Sequence, residues 1–151
     1  MVTPTDYKPD EDFVAHLVAE VPALTAGSGR NCLAGPRQAY DKVPGIPHLV
    51  VFVSATGGLP TRALKGNSLG TTDERHPVLR VWVRSSSKGV PTAFQDGQEL
   101  ARRCFDAVHH NPPAGYVESE ATGSHPDYDG MDGDGHHWWA IVVQAQVDVV
   151  G

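Results

Sequence analysis

His125, Asp127, Asp129, Asp132, Asp134, His136 and His137 place four carboxylates and three imidazoles within one short stretch of this chain. Oxygen-rich loops of this kind bind calcium, so the twelve-residue helix-loop-helix pattern is the first to try. It fails: counted from Asp127, the fifth position is Met131 and the sixth is Asp132, and counted from Asp132, the sixth is His137 where glycine is required. Neighbouring side chains of a strand point to opposite faces, so His136 and His137 cannot serve one ion from the same side. A transition-metal site would need further ligands, with His109 and His110 as candidates. The simpler expectation is a glycine-rich hairpin loop, Ser124 to His136, whose acids keep its tip soluble.

Other chemistry-bearing signatures are missing. Gly27-Ser28-Gly29 lacks both the third glycine and a preceding strand of a dinucleotide fingerprint, and no GxxxxGK[ST], Gly-x-Ser-x-Gly or HExxH sequence occurs. Cys32 and Cys104 are far apart and too few for a disulfide framework or a thiolate metal site. Cys104 falls in a helical apolar stripe, where a free thiol packs as a small hydrophobe. An acidic net charge of −6 argues against general nucleic-acid binding, although Arg62, Lys65, Arg75, Arg80 and Arg84 could form a local basic patch. No apolar window approaches the roughly 20 residues that span a bilayer, and the first residues have no secretory pattern, so the protein is expected to stay where it is made.

The elements that must position these residues are those of an α+β domain. A length of 151 residues suits one domain with its own core. Pro9 and the acids Asp10, Glu11 and Asp12 favour a helix start, and Phe13, Val14, Leu17, Val18 and Val21 give the stripe of a helix over Glu11 to Val21. Thr25 to Gly45 is an irregular connection with a short strand around Gln38 to Lys42. His48 to Ser54 is a strand, and Thr56 to His76 is a long polar loop that could be a lid, a reach to a neighbour or a tolerated insertion. A second strand, Val78 to Arg84, alternates Leu79, Val81 and Val83 against Arg80, Trp82 and Arg84. The Arg-Trp-Arg face is either a contact site, since both residue types are enriched at interfaces, or covered by a helix with the arginines snorkelling outward. A second helix runs from Ala93 to His110 with Thr92 as its N-cap and Phe94, Leu100, Ala101, Cys104, Phe105 and Val108 as its stripe, weakened by Gly97. Tyr116 to Ala121 is a third strand. His137 to Val149 is the last and longest, so it should be central or shared between subunits. The expected architecture is a mainly antiparallel four-stranded sheet packed against two helices.

Charge is distributed unevenly along the chain. Eleven of the twelve basic residues lie between Arg30 and Arg103, and the segment after Arg103 has eight acids and no Lys or Arg. Either the blocks neutralise one another within one subunit, or a basic surface of one copy meets an acidic surface of the next.

Val50 to Pro60 with Thr56-Gly57-Gly58, then Val81-Trp82-Val83-Arg84-Ser85, the Leu100 to Val108 helix and the Asp-Gly turn before Trp138 resemble the tail terminator or minor capsid proteins of long-tailed bacteriophages. The resemblance runs from about Phe13 to Val149, with the loop from Thr61 to His76 and the histidine-bearing acidic turn as departures. It implies a non-enzymatic virion protein without cofactor or metal: a hexameric ring that caps the tail tube, ends its polymerisation and presents a head-joining surface. The expected partners are other copies of the chain, the tail tube protein, head-tail connector proteins, and DNA passing through the lumen without sequence recognition. Arg80, Trp82 and Arg84 are then the expected subunit or tube contacts, and Arg62 and Lys65 the lumen residues. The expected location is the tail or neck of the virion, assembled in the host cytoplasm, with no membrane contact. A head-completion connector is the nearest alternative. A small metal-dependent enzyme using His125, His136, His137 and nearby aspartates is a more distant one.

Overall fold

The computed structural model describes residues 2–3, 6–25, 30–36, 48–67, 70–86 and 90–150, with the side chains at 57–67, 70–72 and 150 left aside. Among them are helices α1 (Pro9–Glu20) and α2 (Ala93–Val108) and strands β1 (Cys32–Ala34), β2 (Leu49–Asn67), β3 (Gly70–Ser86), β4 (Glu118–Ala121), β5 (Asp127–Met131) and β6 (His136–Val150). The α+β class stands. The sheet, however, is mixed and six-stranded, in the order β1-β2-β3-β6-β4, with β5 also paired to β6 and β1 parallel to β2. The four-stranded antiparallel expectation missed β1 and β5 because each is short and lies in a Gly- or Asp-rich stretch where alternation gives little signal. The short strand expected at Gln38 to Lys42 lies outside the described residues.

Thr56 to His76 is not a long loop. β2 and β3 continue through it as one antiparallel hairpin, pairing Thr56 with Val78, Arg62 with Glu74 and Asn67 with Gly70. Register shifts fall between Thr56 and Leu59, Leu59 and Arg62, and Leu64 and Asn67. Such irregularities interrupt the period-2 pattern that marks a strand in sequence, which is why this segment resembles a loop.

Alternation sorts the central strands into two faces as expected. Leu79, Val81 and Val83 of β3 and Trp139, Ile141 and Val143 of β6 are buried on an inner face, which α1 and α2 cover. α1 begins at Pro9 with Asp10, Glu11 and Asp12 in its first turn and buries Phe13 and Leu17. It is tied across the core by Tyr116, whose hydroxyl donates to Asp12 Oδ2 at 2.9 Å and whose ring meets Phe13 edge-on at 5.5 Å. Burial raises the Asp12 carboxyl above its usual range, the Tyr116 bond opposing, and burial raises the Tyr116 hydroxyl too. Cys104 is fully buried within this core. Thr92 does occupy the N-cap of α2 but does not cap it with its side chain; its hydroxyl donates to Asp96 Oδ2 at 2.9 Å.

β6 is central, paired along its length with β3 on one side and with β5 and β4 on the other. Gly97 of α2 sits directly over it. A Cβ there would lie 2.3 Å from Trp139 Cζ3 and 2.7 Å from Ser85 Cβ, so the absence of a side chain lets the helix settle on the indole.

Candidate functional site

The outer sheet face carries the residues expected at an interface, and it treats them unequally. Register places Arg80 between Ser54 and Val142, Trp82 between Phe52 and Ala140, and Arg84 between Val50 and Trp138. Leu33, Val50, Phe52 and Trp138 are buried there as a second apolar cluster, with Trp82 partly buried against it. The Trp82 and Trp138 rings meet edge-on at 6.3 Å. Arg80 is exposed, whereas Arg84 retains 5% exposure and holds its guanidinium 5.9 Å from the Phe52 ring centroid. Arg84 is therefore a packed cation–π residue of the outer cluster. It does not snorkel to water, and α1 and α2 lie on the other face.

The same face carries a group of acids beyond Arg80. Past Val78 it presents His76 and Glu74 of β3, Asp148 of β6, and the exposed Glu118 and Glu120 of β4. His76 Nε2 and Glu74 Oε1 are 2.7 Å apart, which ties up one of these acids locally. Arg62 and Lys65, expected at a lumen, lie on the β2 half of the hairpin; their side chains are outside the described residues. Among the described residues no strand pairs with β2 beyond Val53 on the side away from β3.

The acidic segment is only partly a loop. β5 occupies Asp127–Met131, and the turn is confined to Asp132 to Gly135, closed by Gly135 N–H donating to the Asp132 carbonyl at 3.1 Å, with Gly135 at φ 81°. A type I turn followed by a left-handed residue is a common short hairpin connection, and glycine takes that position without strain. One ligand atom from each of Asp132, Asp134 and His136 falls within a 4.8 Å span. The Asp132 carboxylate, however, is already engaged: Oδ1 accepts from the Asp134 and His136 amides at 2.9 and 3.0 Å, and Oδ2 from Trp138 Nε1 at 2.7 Å. Partial burial opposes ionisation of Asp132, but these donors outweigh it and hold the carboxyl below its ordinary range. Asp132 thus braces the turn against the outer tryptophan cluster.

The histidines named as possible metal ligands are dispersed. His137 Nδ1 shares a hydrogen bond of 2.7 Å with the Tyr128 hydroxyl, and His125 Nδ1 lies 3.0 Å from Ser124 Oγ. His109 Nδ1 accepts from the Ala121 amide at 3.1 Å, and His110 Nδ1 lies 3.7 Å from Glu118 Oε1, both over β4 at the C-terminal end of α2. The sequence matches no protein-family model, and no curated protein is significantly similar to it. Among the described residues, no helix is long and apolar enough to cross a membrane.

Sequence reasoning missed a groove between α2 and β5. Phe94, assigned to the buried stripe of α2, is 37% exposed, and Tyr128 across from it is 46% exposed. Two signals could have found it. Phe94, Gln98 and Arg102 recur at i, i+4 and i+8 on one helix face, and Tyr128 interrupts a run of acids with an aromatic ring.

Proposed function

We propose that the chain is a structural virion protein, a tail terminator of a long-tailed bacteriophage that forms a ring on the tail tube, ends tube polymerisation and offers a surface for head joining. The observation that supports this reading best is the outer sheet face, which presents the exposed Arg80 beside Trp82 and, past Val78, a patch of Glu74, Glu118, Glu120 and Asp148 on the central strand pair. An exposed arginine and an acidic patch at different places on one face favour head-to-tail contact between copies, the kind that closes into a ring. The long β2–β3 hairpin, which carries Arg62 and Lys65, suits a projection that reaches a neighbour or lines an opening.

The test is native mass spectrometry with negative-stain imaging, with and without tail tube protein, on wild type, Arg80→Glu, and Arg80→Glu combined with Glu118→Lys and Glu120→Lys. Rings of about six copies that are lost in the single variant and regained in the charge-swapped one support the reading; a monomer in every condition removes it. A head-completion connector shares the ring and is separated by which end of the assembled tail it occupies. A metal-dependent enzyme would rest on Asp132, Asp134 and His136, whose central carboxylate already serves the turn.

A further inference from the structure

The groove between α2 and the β5–β6 hairpin holds an arrangement that the packing of the core does not require. The Phe94 ring centroid lies 5.2 Å from that of Tyr128 and 5.5 Å from those of His137 and Trp139, and Trp139 forms the floor at 2% exposure. The hydrogen bond it shares with His137 fixes Tyr128 in place. Along the groove from this aromatic end, a cavity of about 220 Å³ is lined by Gln98, Arg102, His125, Pro126, Tyr128 and Trp139. Arg102 forms no ion pair among the described residues, while its neighbour Arg103 is held by Glu99 at 2.7 Å. Asp127, opposite Ala140, belongs to the outer side of the pleat, so no carboxylate lines the cavity from β5.

The packed rings hold Tyr128 and Trp139 as one wall of the cavity, and with Pro126, the Gln98 amide and a guanidinium that forms no ion pair among the described residues, this lining suits a bulky apolar group next to an anion. Aromatic residues and Arg are the anchors through which interfaces hold such groups. We propose that this groove is a docking site for a short segment of a partner protein in which a bulky apolar side chain is followed by a carboxylate. A nucleic acid would offer stacking and phosphate to the same groups, but the hairpin beside the groove carries exposed Asp129, Asp132 and Asp134. One guanidinium balances one carboxylate; a polyphosphate backbone needs a basic track. The site does not depend on ring formation, since its residues lie on the helix side and the edge of the sheet.

The test uses the full chain and a fluorescein-labelled peptide, Gly-Ser-Phe-Glu-Ser-Gly, read by fluorescence anisotropy, with Phe-Gln and Phe-Lys versions as controls. Wild type should bind the Phe-Glu peptide saturably and more weakly as salt rises. Arg102→Ala should weaken that binding about five- to tenfold, as expected for one charge-assisted contact at an open site, and leave the Phe-Gln peptide unchanged. Arg102→Glu should reverse the preference toward the Phe-Lys peptide. Arg102 is exposed, so neither change should alter the thermal midpoint. No saturable binding, equal losses for the Phe-Glu and Phe-Gln peptides, or tighter binding of a thymidine oligonucleotide at the same cleft would each overturn the proposal.

Discussion

Gly97→Ala opposes two effects of known sign. In an exposed helix the change stabilises by about 1 kcal/mol through backbone entropy. Here the new methyl group would sit 2.3 and 2.5 Å from Cζ3 and Cη2 of Trp139 and 2.7 Å from Ser85 Cβ, whereas ordinary contact begins near 3.4 Å. The indole cannot step aside, because it is 2% exposed and packed by Phe94 and Tyr128. α2 must therefore lift from the sheet. Overpacking costs about 1–3 kcal/mol, and three simultaneous overlaps on rigid groups place this case at the upper end. The net loss is about 2 kcal/mol once the helix gain is subtracted, which for a chain of this size lowers the thermal midpoint by about 4–8 °C. Thermal unfolding followed by circular dichroism measures it, with a double-mutant cycle as the control. Trp139→Leu alone should destabilise by several kcal/mol, as large-to-small core changes do, yet in its background Gly97→Ala should become neutral or mildly stabilising. An unchanged or raised midpoint for Gly97→Ala in the native background would refute the close approach of α2 to Trp139.

Four further outcomes follow from the geometry. Arg84→Glu would set a carboxylate against the Phe52 ring at a site only 5% exposed, so it should lower the unfolding temperature, whereas Arg80→Glu on the open part of the same strand should leave it within about 2 °C of wild type. Asp132 has a carboxyl held below its usual range, so the stability it contributes is present above its unfolded-state pKa of about 4 and is lost as pH falls through its lower folded value. Denaturant titrations of wild type and Asp132→Asn should accordingly differ at pH 7 and converge as the pH is lowered through the acid range. Burial pushes the Cys32 thiol up to about 12 and raises Cys104 as well, so a disulfide-exchange reagent at pH 8 should label both only at the rate of unfolding, and prompt labelling of either would contradict their packing. Asp12 is raised by burial, so its folded state favours the proton: the contribution is fullest below the unfolded pKa and declines as pH rises through the folded value. Asp12→Asn, which keeps an acceptor for Tyr116, should for that reason cost under about 1 kcal/mol at pH 7 in a denaturant melt.

The face assignments of β3 and β6 were legible because a strand buried on one side must alternate, and Leu79, Val81, Val83, Trp139, Ile141 and Val143 do so without a break. α1 was legible from Pro9, its acids and the Phe13–Leu17 spacing. The distal hairpin was not, because three register shifts and a polar sequence hide a pairing that depends only on backbone groups. Nor was β1, three residues long and fixed by its parallel partner Val51 to Val53. At the candidate interface, sequence placed Arg80, Trp82 and Arg84 on one face but could not show that Arg84 closes over Phe52, which depends on residues more than thirty positions away. The acidic turn shows the same limit: its composition suggested ligands, and the use of Asp132 as a brace for Trp138 needed the hairpin geometry.

β6 lies inside the sheet between β3 and β4, yet it follows both of them in sequence. A nascent chain synthesised only as far as Ala121 already holds both helices, the β2–β3 hairpin and β4, but β4 has no strand beside it and Leu79, Val81 and Val83 lack the neighbours that β6 supplies. Closure of the sheet must wait for a strand to insert between elements made earlier, and the long-range pairing this requires is slow. During that interval the free edge of β3 is open to the β6 of a neighbouring copy, so two chains can exchange this strand at little cost in contacts. Slow synthesis beyond Ala121, or crowding of nascent chains along one message, should therefore favour strand-swapped dimers over aggregates of fully unfolded protein.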